Sequence, residues 1–161
     1  MKIILIAGLL FCSFISFAST PSLTEVRVLY QKAATEEKAC KKLIEWLSPY
    51  NEKNNPLLLG YKAGGTMMMA NYVFNPISKF SYFKRGKKML GKAISVDGQN
   101  VELRFIRLTL QTNIPSFLGY KNHIGSDKAF LLQSLPDLKD YHLRNMIVDY
   151  FKQRGYLSEN Y

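Results

Sequence analysis

The sequence predicts an all-α protein: a bundle or short solenoid of about six helices in antiparallel pairs. Three observations lead there. Apolar residues recur at spacings of three and four along most of the chain. Ser48-Pro49, Asn55-Pro56 and Asn75-Pro76 mark helix ends and starts, because the residue before Pro avoids the helical region while Pro fits a first helical turn. No period-two run is bounded by Asn-Gly or Asp-Gly turns, so hairpins have no signal.

The first residues, MKIILIAGLLFCSFISFAST, place one Lys before an apolar run from Ile3 to Phe17, then small residues. This is the layout of a secretory signal peptide over Met1–Ala18, with Ser16 and Ala18 in the small-residue slots. The run is short for a spanning helix, which needs roughly 20 apolar residues. An uncleaved anchor is the alternative. Cys12 does not mark a lipoprotein, since Phe11 stands where a small residue would be expected. The expected setting is therefore export, periplasmic or secreted. The absence of an Asn-x-Ser/Thr acceptor favours a bacterial source.

Removing the leader leaves 143 of the 161 residues, enough for one helical domain over Ser19–Gly155 with a loose tail, Tyr156–Tyr161. One cysteine remains, Cys40, so no internal disulfide can form and packing must hold the fold. Cys40 reads as a small buried residue; no polarising base lies near it in sequence.

The first helix is expected from Ser22–Leu23 to Trp46 or Leu47, with Val26, Leu29, Tyr30, Ala33, Cys40, Leu43, Ile44 and Leu47 on its apolar face. Ala33–Ala39 lacks large apolar side chains, so a break near Thr35 is expected. The second helix begins at Asn55-Pro56, an N-cap and first-turn pair. Leu58, Tyr61, Gly65, Met68 and Tyr72 follow at spacings of three and four. Gly60, Gly64 and Gly65 each cost about 1 kcal/mol of helix propensity relative to Ala, tolerable where a neighbouring helix packs closely. The third helix spans Ser78–Val96. Tyr82, Phe83, Gly86, Met89, Leu90, Ala93 and Ile94 fall within a sector of about 140°. Lys84, Arg85, Lys87, Lys88 and Lys92 take the opposite side.

Asp97–Asn100 is a turn, and the fourth helix, Val101–Thr112, is apolar around much of its circumference. A fifth opens at Ser116–Tyr120, with a second start at Ser126, and ends before Pro136. A sixth runs from Leu138 to Lys152 or Arg154, stopped by Gly155. PLLLGYK at Pro56–Lys62 and PSFLGYK at Pro115–Lys121 share five of seven letters and read as equivalent helix starts in a degenerate repeat. In both, Leu and Tyr are expected inside and the Lys back toward solvent.

KAISVDGQNVELRFIRLTLQ resembles the junction between two tetratricopeptide repeats. Gly86 and Ala93 take small positions, and Asp97 and Asn100 frame the turn, with Gly98 where Pro is common. The LGY stretches resemble the Leu-Gly-x-x-Tyr portion of a repeat, although Tyr follows Gly directly and their 59-residue spacing departs from a 34-residue unit. The whole chain also resembles uncharacterised exported proteins of Bacteroidota type. The repeat resemblance implies a helical fold that acts by binding a protein or peptide; the second implies no activity.

Charge is uneven. The 22 Lys and Arg less Lys2 leave 21 against 12 acidic residues, net +9. No Asp or Glu lies between Lys53 and Val96, and that stretch alone carries +8. The basic side of the third helix is the leading site candidate, since clustered cations attract phosphate, sulfate or carboxylate groups. Lipid headgroups or an envelope polymer would supply them outside the cell; export argues against nucleic acid. A merely solvated face is the plain alternative. Tyr61, Tyr72, Tyr82 and Tyr120 are candidates to line a groove for peptide or glycan, set against a plain core role. Met67, Met68 and Met69 are consecutive, so they point in three directions and read as packing. His123 and His142 lack any ligand spacing, so neither metal nor cofactor is expected, and Asp127 reads as a local partner of His123. No Gly-x-Ser-x-Gly or convergent acid pair suggests an enzyme. The expected function is non-catalytic binding of an envelope protein or peptide. The second choice is a peripheral contact with anionic lipid or envelope polymer.

Overall fold

The computed structural model describes residues 20–158, so the leader expected over Met1–Ala18, Ser19 and the last three residues lie outside it. The described residues are all-helical, with no strand. Seven α-helices follow one another: α1 (Leu23–Ala33), α2 (Glu37–Trp46), α3 (Pro56–Met68), α4 (Pro76–Val96), α5 (Val101–Asn113), α6 (Ile124–Ser134) and α7 (Tyr141–Gln153). No helix among them is long and apolar enough to cross a membrane.

Seven exceeds the expected count by one because the first helix breaks. Ala34 and Thr35 turn back on the carbonyls of Gln31 and Lys32, and Glu36 is extended. With no large apolar side chain between Ala33 and Ala39, a continuous helix there would bury nothing. Side-chain caps fix four other starts. Asn55 accepts from the Leu58 N–H at 3.0 Å and Asn75 from the Ile77 N–H at 2.8 Å. Asn100 accepts from Glu102 and Leu103, both at 3.1 Å. Asp140 accepts from Leu143 at 3.0 Å. Each satisfies backbone donors that a helix start leaves open. Gly155, at φ 65°, closes α7 in the left-handed region, where glycine pays no steric cost.

The second half departs from expectation at PSFLGYK. Ser116–Leu118 forms a single 3-10 turn, and Gly119 turns left-handed at φ 59°. No side chain caps the turn, and Phe117 is 85% exposed. The motif is therefore a helix start only in its first copy. α6 begins at Ile124, not at Ser116 or Ser126. α7 begins at Tyr141 and not Leu138, because Leu135–Asp137 is another 3-10 turn and Asp140 is the cap. The chain beyond Gly155 is not loose at once. The Tyr156 N–H donates to the Phe151 carbonyl at 2.7 Å, and its ring stands edge-on to Phe151 at 5.6 Å.

Two hydrophobic clusters share α5. Leu103, Ile106 and Leu110 face the cluster built from α1 to α4, while Phe105 and Leu108 face the one built from α6 and α7. The hub of the first cluster is α3, which has nine buried residues among its thirteen. Its glycines explain how so many neighbours reach it. A Cβ at Gly60 would lie 2.3 Å from Leu103 of α5, and one at Gly64 would lie 2.5 Å from the Tyr30 ring of α1. At Gly65 it would lie 3.0 Å from Leu43 of α2. From the other side, a Cβ at Gly86 of α4 would lie 2.6 Å from the Ala63 carbonyl oxygen of α3. Backbone cannot yield as a side-chain tip can.

These contacts order two substitutions in α4. Gly86→Ala forces α3 and α4 apart and should lower stability by about 1–3 kcal/mol, the usual cost of overpacking. Gly91→Ala meets nothing within 4 Å and should raise it by up to about 1 kcal/mol through helix propensity. Urea unfolding followed by circular dichroism reads both signs.

Candidate functional site

α1, α5 and α7 come together at one end through charge. The buried Arg27 of α1 donates to both oxygens of Glu102, at 2.6 and 2.8 Å, from the start of α5. It also reaches the Asp140 carboxylate at the cap of α7, at 2.7 Å. Arg27 and Glu102 are 3% and 4% exposed. The Tyr61 hydroxyl of α3 donates to the same Glu102 carboxylate. The carboxylates raise the guanidinium above its ordinary range, with Glu102 the largest influence. Burial, and then the Glu102 charge, push the Tyr61 phenol well up. A second ion-pair cluster holds α6 to α5. Asp127, fully buried, accepts from Arg107 through both oxygens at 2.6 Å and from Arg104 at 2.9 Å. Asp127 is thus not a partner of the His123 side chain; it meets His123 only through a backbone helix bond.

Residues further along the same three helices line an open groove of about 1020 Å³. Tyr30, Gln31 and Ala34 come from α1, Thr109, Leu110 and Asn113 from α5, and Met146, Tyr150 and Gln153 from α7. The end of α3 and the start of α4 complete the wall with Met67, Met68, Lys79, Phe80 and Phe83. The clamp lies toward the N-terminal ends of these helices and the groove toward their C-terminal ends, where Thr112 meets Tyr150 and Arg154 donates to Asn113 to keep α5 and α7 together. On the groove wall Tyr30 stands edge-on to Tyr61, ring centres 5.0 Å apart. Among the described residues two buried side-chain polar atoms lack a hydrogen-bond partner, the Tyr30 hydroxyl and Gln111 Nε2. Only Tyr30 borders the groove. Burial raises its phenol far above the ordinary value, slightly offset by nearby Thr109.

The four candidate tyrosines do not converge. Tyr61 borders the groove by its ring and commits its hydroxyl to Glu102. Tyr120 is buried against Phe83, ring centres 5.8 Å apart, and lies outside the groove wall. Tyr72 donates to the Ala33 carbonyl at 2.8 Å, and Tyr82 lies under Arg85, 4.6 Å from its ring centre. The five candidate cations of α4 also divide. Lys92 pairs with Glu52 at 2.8 Å. Lys84 sits 5.5 Å over Phe80, and Lys87 stands over Phe83 and Tyr120 at 5.9 and 5.1 Å. Lys88 is exposed.

No protein-family model matches this chain, and no curated protein or solved structure matches it either. Its own residues must therefore carry the argument.

Cys40 is fully buried and donates to the Gly65 carbonyl at 3.1 Å; burial pushes its thiol up to about 11. It is not poised to react. Among the described residues no group of three His, Cys, Asp or Glu side chains could hold a metal ion. Lys62 does not lead out to solvent: its ammonium donates to the carbonyls of Ser48 and Tyr50, closing the loop before α3. The sequence reading missed the groove's α5 and α7 walls and the Arg27–Glu102 pair. The available signal was Arg27 beside the apolar stripe of Val26 and Tyr30, and Glu102 and Arg107 interleaved with the apolar residues of α5.

Two predictions follow from the clamp. Arg27→Leu leaves the buried Glu102 with no cation and only the Tyr61 hydroxyl, and Glu102→Leu leaves the buried Arg27 only the more exposed Asp140, so each should cost about 3–5 kcal/mol. The double variant should cost clearly less than the sum in a urea double-mutant cycle. For Asp140, Arg27 first and the α7 backbone after it hold the carboxyl below its ordinary 3.8. Such a group stabilises the fold above the unfolded-state value and loses that contribution as pH falls through the lowered one. Asp140→Asn keeps a capping side chain but removes the charge. The wild-type advantage over it should be constant near neutrality and shrink as pH drops below 3.8, read as urea midpoints across acid pH.

Proposed function

We propose that this protein is an exported, non-catalytic binding domain, its helix pairs stacked in tetratricopeptide-like fashion, whose groove receives an extended apolar segment of an envelope protein or peptide. One observation carries the reading: an open groove of about 1020 Å³ with aromatic and aliphatic walls and a buried, unspent Tyr30 hydroxyl. Ligand pockets combine this kind of apolar lining with few polar groups, and fall in the range of about 300–1,000 Å³. A peptide that leaves water must also pair its backbone N–H and C=O groups. Gln31, Asn71 and Gln153 stand exposed on the rim and can each donate and accept. An aliphatic chain would have no use for those carboxamides. Lys79 and Asp149 give the rim one charge of each sign.

Fluorescence anisotropy with a labelled peptide alternating Leu and Ser tests the reading. Thr109→Trp fills the groove floor and should weaken binding at least about tenfold, while the unfolding temperature moves little. Gln31→Ala with Gln153→Ala should weaken it severalfold, since backbone groups of the peptide go unpaired. Salt should matter little for a contact of this kind. Equal binding by wild type and Thr109→Trp, or no binding by either, rejects the groove as the site.

A further inference from the structure

α4 presents a second surface, outside the groove, that combines apolar side chains with cations. Asn75 caps the helix and Pro76 opens it, which carries Phe74 and Ile77 clear of the body. Phe74 is 99% exposed, Ile77 81% and Phe80 52%. Phe117, from the turn after α5, is 85% exposed and borders the groove, as Phe80 does. Such side chains cluster on a surface only where something covers them. At about 100° per residue, Ile77, Phe80, Lys84, Lys87 and Lys88 fall within an arc of about 100° on α4. They form one strip, apolar at the helix start and basic along its middle. The ammonium of Lys84 over the Phe80 ring joins the two parts. No Asp or Glu lies between Lys53 and Val96 to neutralise the strip. Of the α4 cations, Lys92 alone has a carboxylate partner among the described ion pairs.

We propose that this strip, with Phe74 at its apolar end and the exposed Phe117 of the groove edge, seats the protein on an anionic lipid surface. The lysines would meet headgroup phosphates while Phe74, Ile77 and Phe117 enter the acyl boundary. Charge and composition select this occupant. Interfacial lipid contacts combine buried apolar area with cations near the anionic headgroups. A soluble anionic polymer would attract the lysines and leave the three apolar tips in water. A second copy of the chain, docked strip to strip, would set lysines against lysines. The surface meets the peptide groove at Phe80 and Phe117 and is otherwise separate from it, since none of Phe74, Ile77, Lys84, Lys87 and Lys88 lines the groove.

Vesicle sedimentation tests it. Full-length mature protein should sediment with vesicles of about 30% phosphatidylglycerol in phosphatidylcholine at low salt, and far less at high salt or with phosphatidylcholine alone. Lys84→Glu/Lys87→Glu/Lys88→Glu should abolish sedimentation, each lost cation weakening partition roughly fivefold before the added repulsion. Phe74→Ser/Ile77→Ser/Phe117→Ser should reduce partition by at least about tenfold. All six positions are exposed, so circular dichroism and the unfolding temperature should match wild type. Thr109→Trp should bind vesicles as wild type does, which separates this surface from the groove. The proposal is overturned if wild type stays in the supernatant with anionic vesicles, or if the triple serine variant partitions as wild type. Loss of vesicle binding in Thr109→Trp would also overturn it. So would a wild-type dimer in sedimentation equilibrium that the serine variant dissolves, since the strip would then be a self-contact.

Discussion

The close approach of four helices to α3 is the constraint on which the rest of the structure depends. A thirteen-residue helix surrounded on every side needs positions without side chains where neighbours arrive. Gly60, Gly64 and Gly65 provide them for α5, α1 and α2, and Gly86 returns the favour from α4. Each costs helix propensity, which in water would weigh against so glycine-rich a segment. Burial reverses the balance. Leu58, Leu59, Tyr61, Ala63 and Met67 leave water together, and contact at this range gains dispersion from all sides. The helix exists because its neighbours surround it. Its neighbours, in turn, take their places from its gaps. The Tyr30 ring packs into the space left by Gly64, which puts the tyrosine at the edge of the groove.

The ion-pair clamp decides where the molecule opens. Arg27, Glu102 and Asp140 join α1, α5 and α7 near the N-terminal ends of those helices. A buried pair is weak evidence for net stability, since desolvation offsets much of the attraction. It is stronger evidence for geometry, because the guanidinium fork accepts few arrangements of its carboxylates. Toward the other end α5 and α7 stay joined, Thr112 to Tyr150 by their hydroxyls and Arg154 donating to Asn113 at 2.5 Å, and the groove runs along Thr109, Asn113, Tyr150 and Gln153. Two cores that meet along α5, one facing α3 and one facing α7, leave the groove between them. Nothing fills it from within the described chain, although its walls are mostly apolar.

Local signals read well from the sequence. Asn55-Pro56 and the Asp97–Asn100 turn marked helix starts because capping involves only the next three residues; Asn75-Pro76, expected to end the helix before it, also caps α4, which begins at Pro76 and not at Ser78. The thin stretch Ala33–Ala39 announced its break for the same reason. PSFLGYK misled because letters alone do not say whether an N-cap stands ready. Asn55 is extended and accepts from Leu58, whereas Pro115 has no side-chain acceptor to offer. Both tyrosines are buried all the same, each against partners distant in sequence. The groove could not be read at all. It depends on Tyr30 meeting Tyr61, on Glu102 finding Arg27 across 75 residues, and on α7 standing opposite α1. Asp127 shows the same limit: one helical turn from His123, it instead ends between two arginines of another helix.

α4 is where the two surfaces meet, and its register explains why they remain distinct. Phe83, Gly86, Leu90 and Ala93 point inward at spacings of three and four, so the strip from Ile77 to Lys88 must point outward. Lys79 shares the inward register, four residues before Phe83, and borders the groove because α3 has already ended where α4 begins. Its neighbour Phe80 borders both surfaces, half exposed on the strip and half in the groove wall. A ligand that drew Phe80 inward would remove it from the outer strip and free Lys84 from its ring. The first turns of α4 are therefore a place at which occupancy of the groove can alter the charged face without moving a helix.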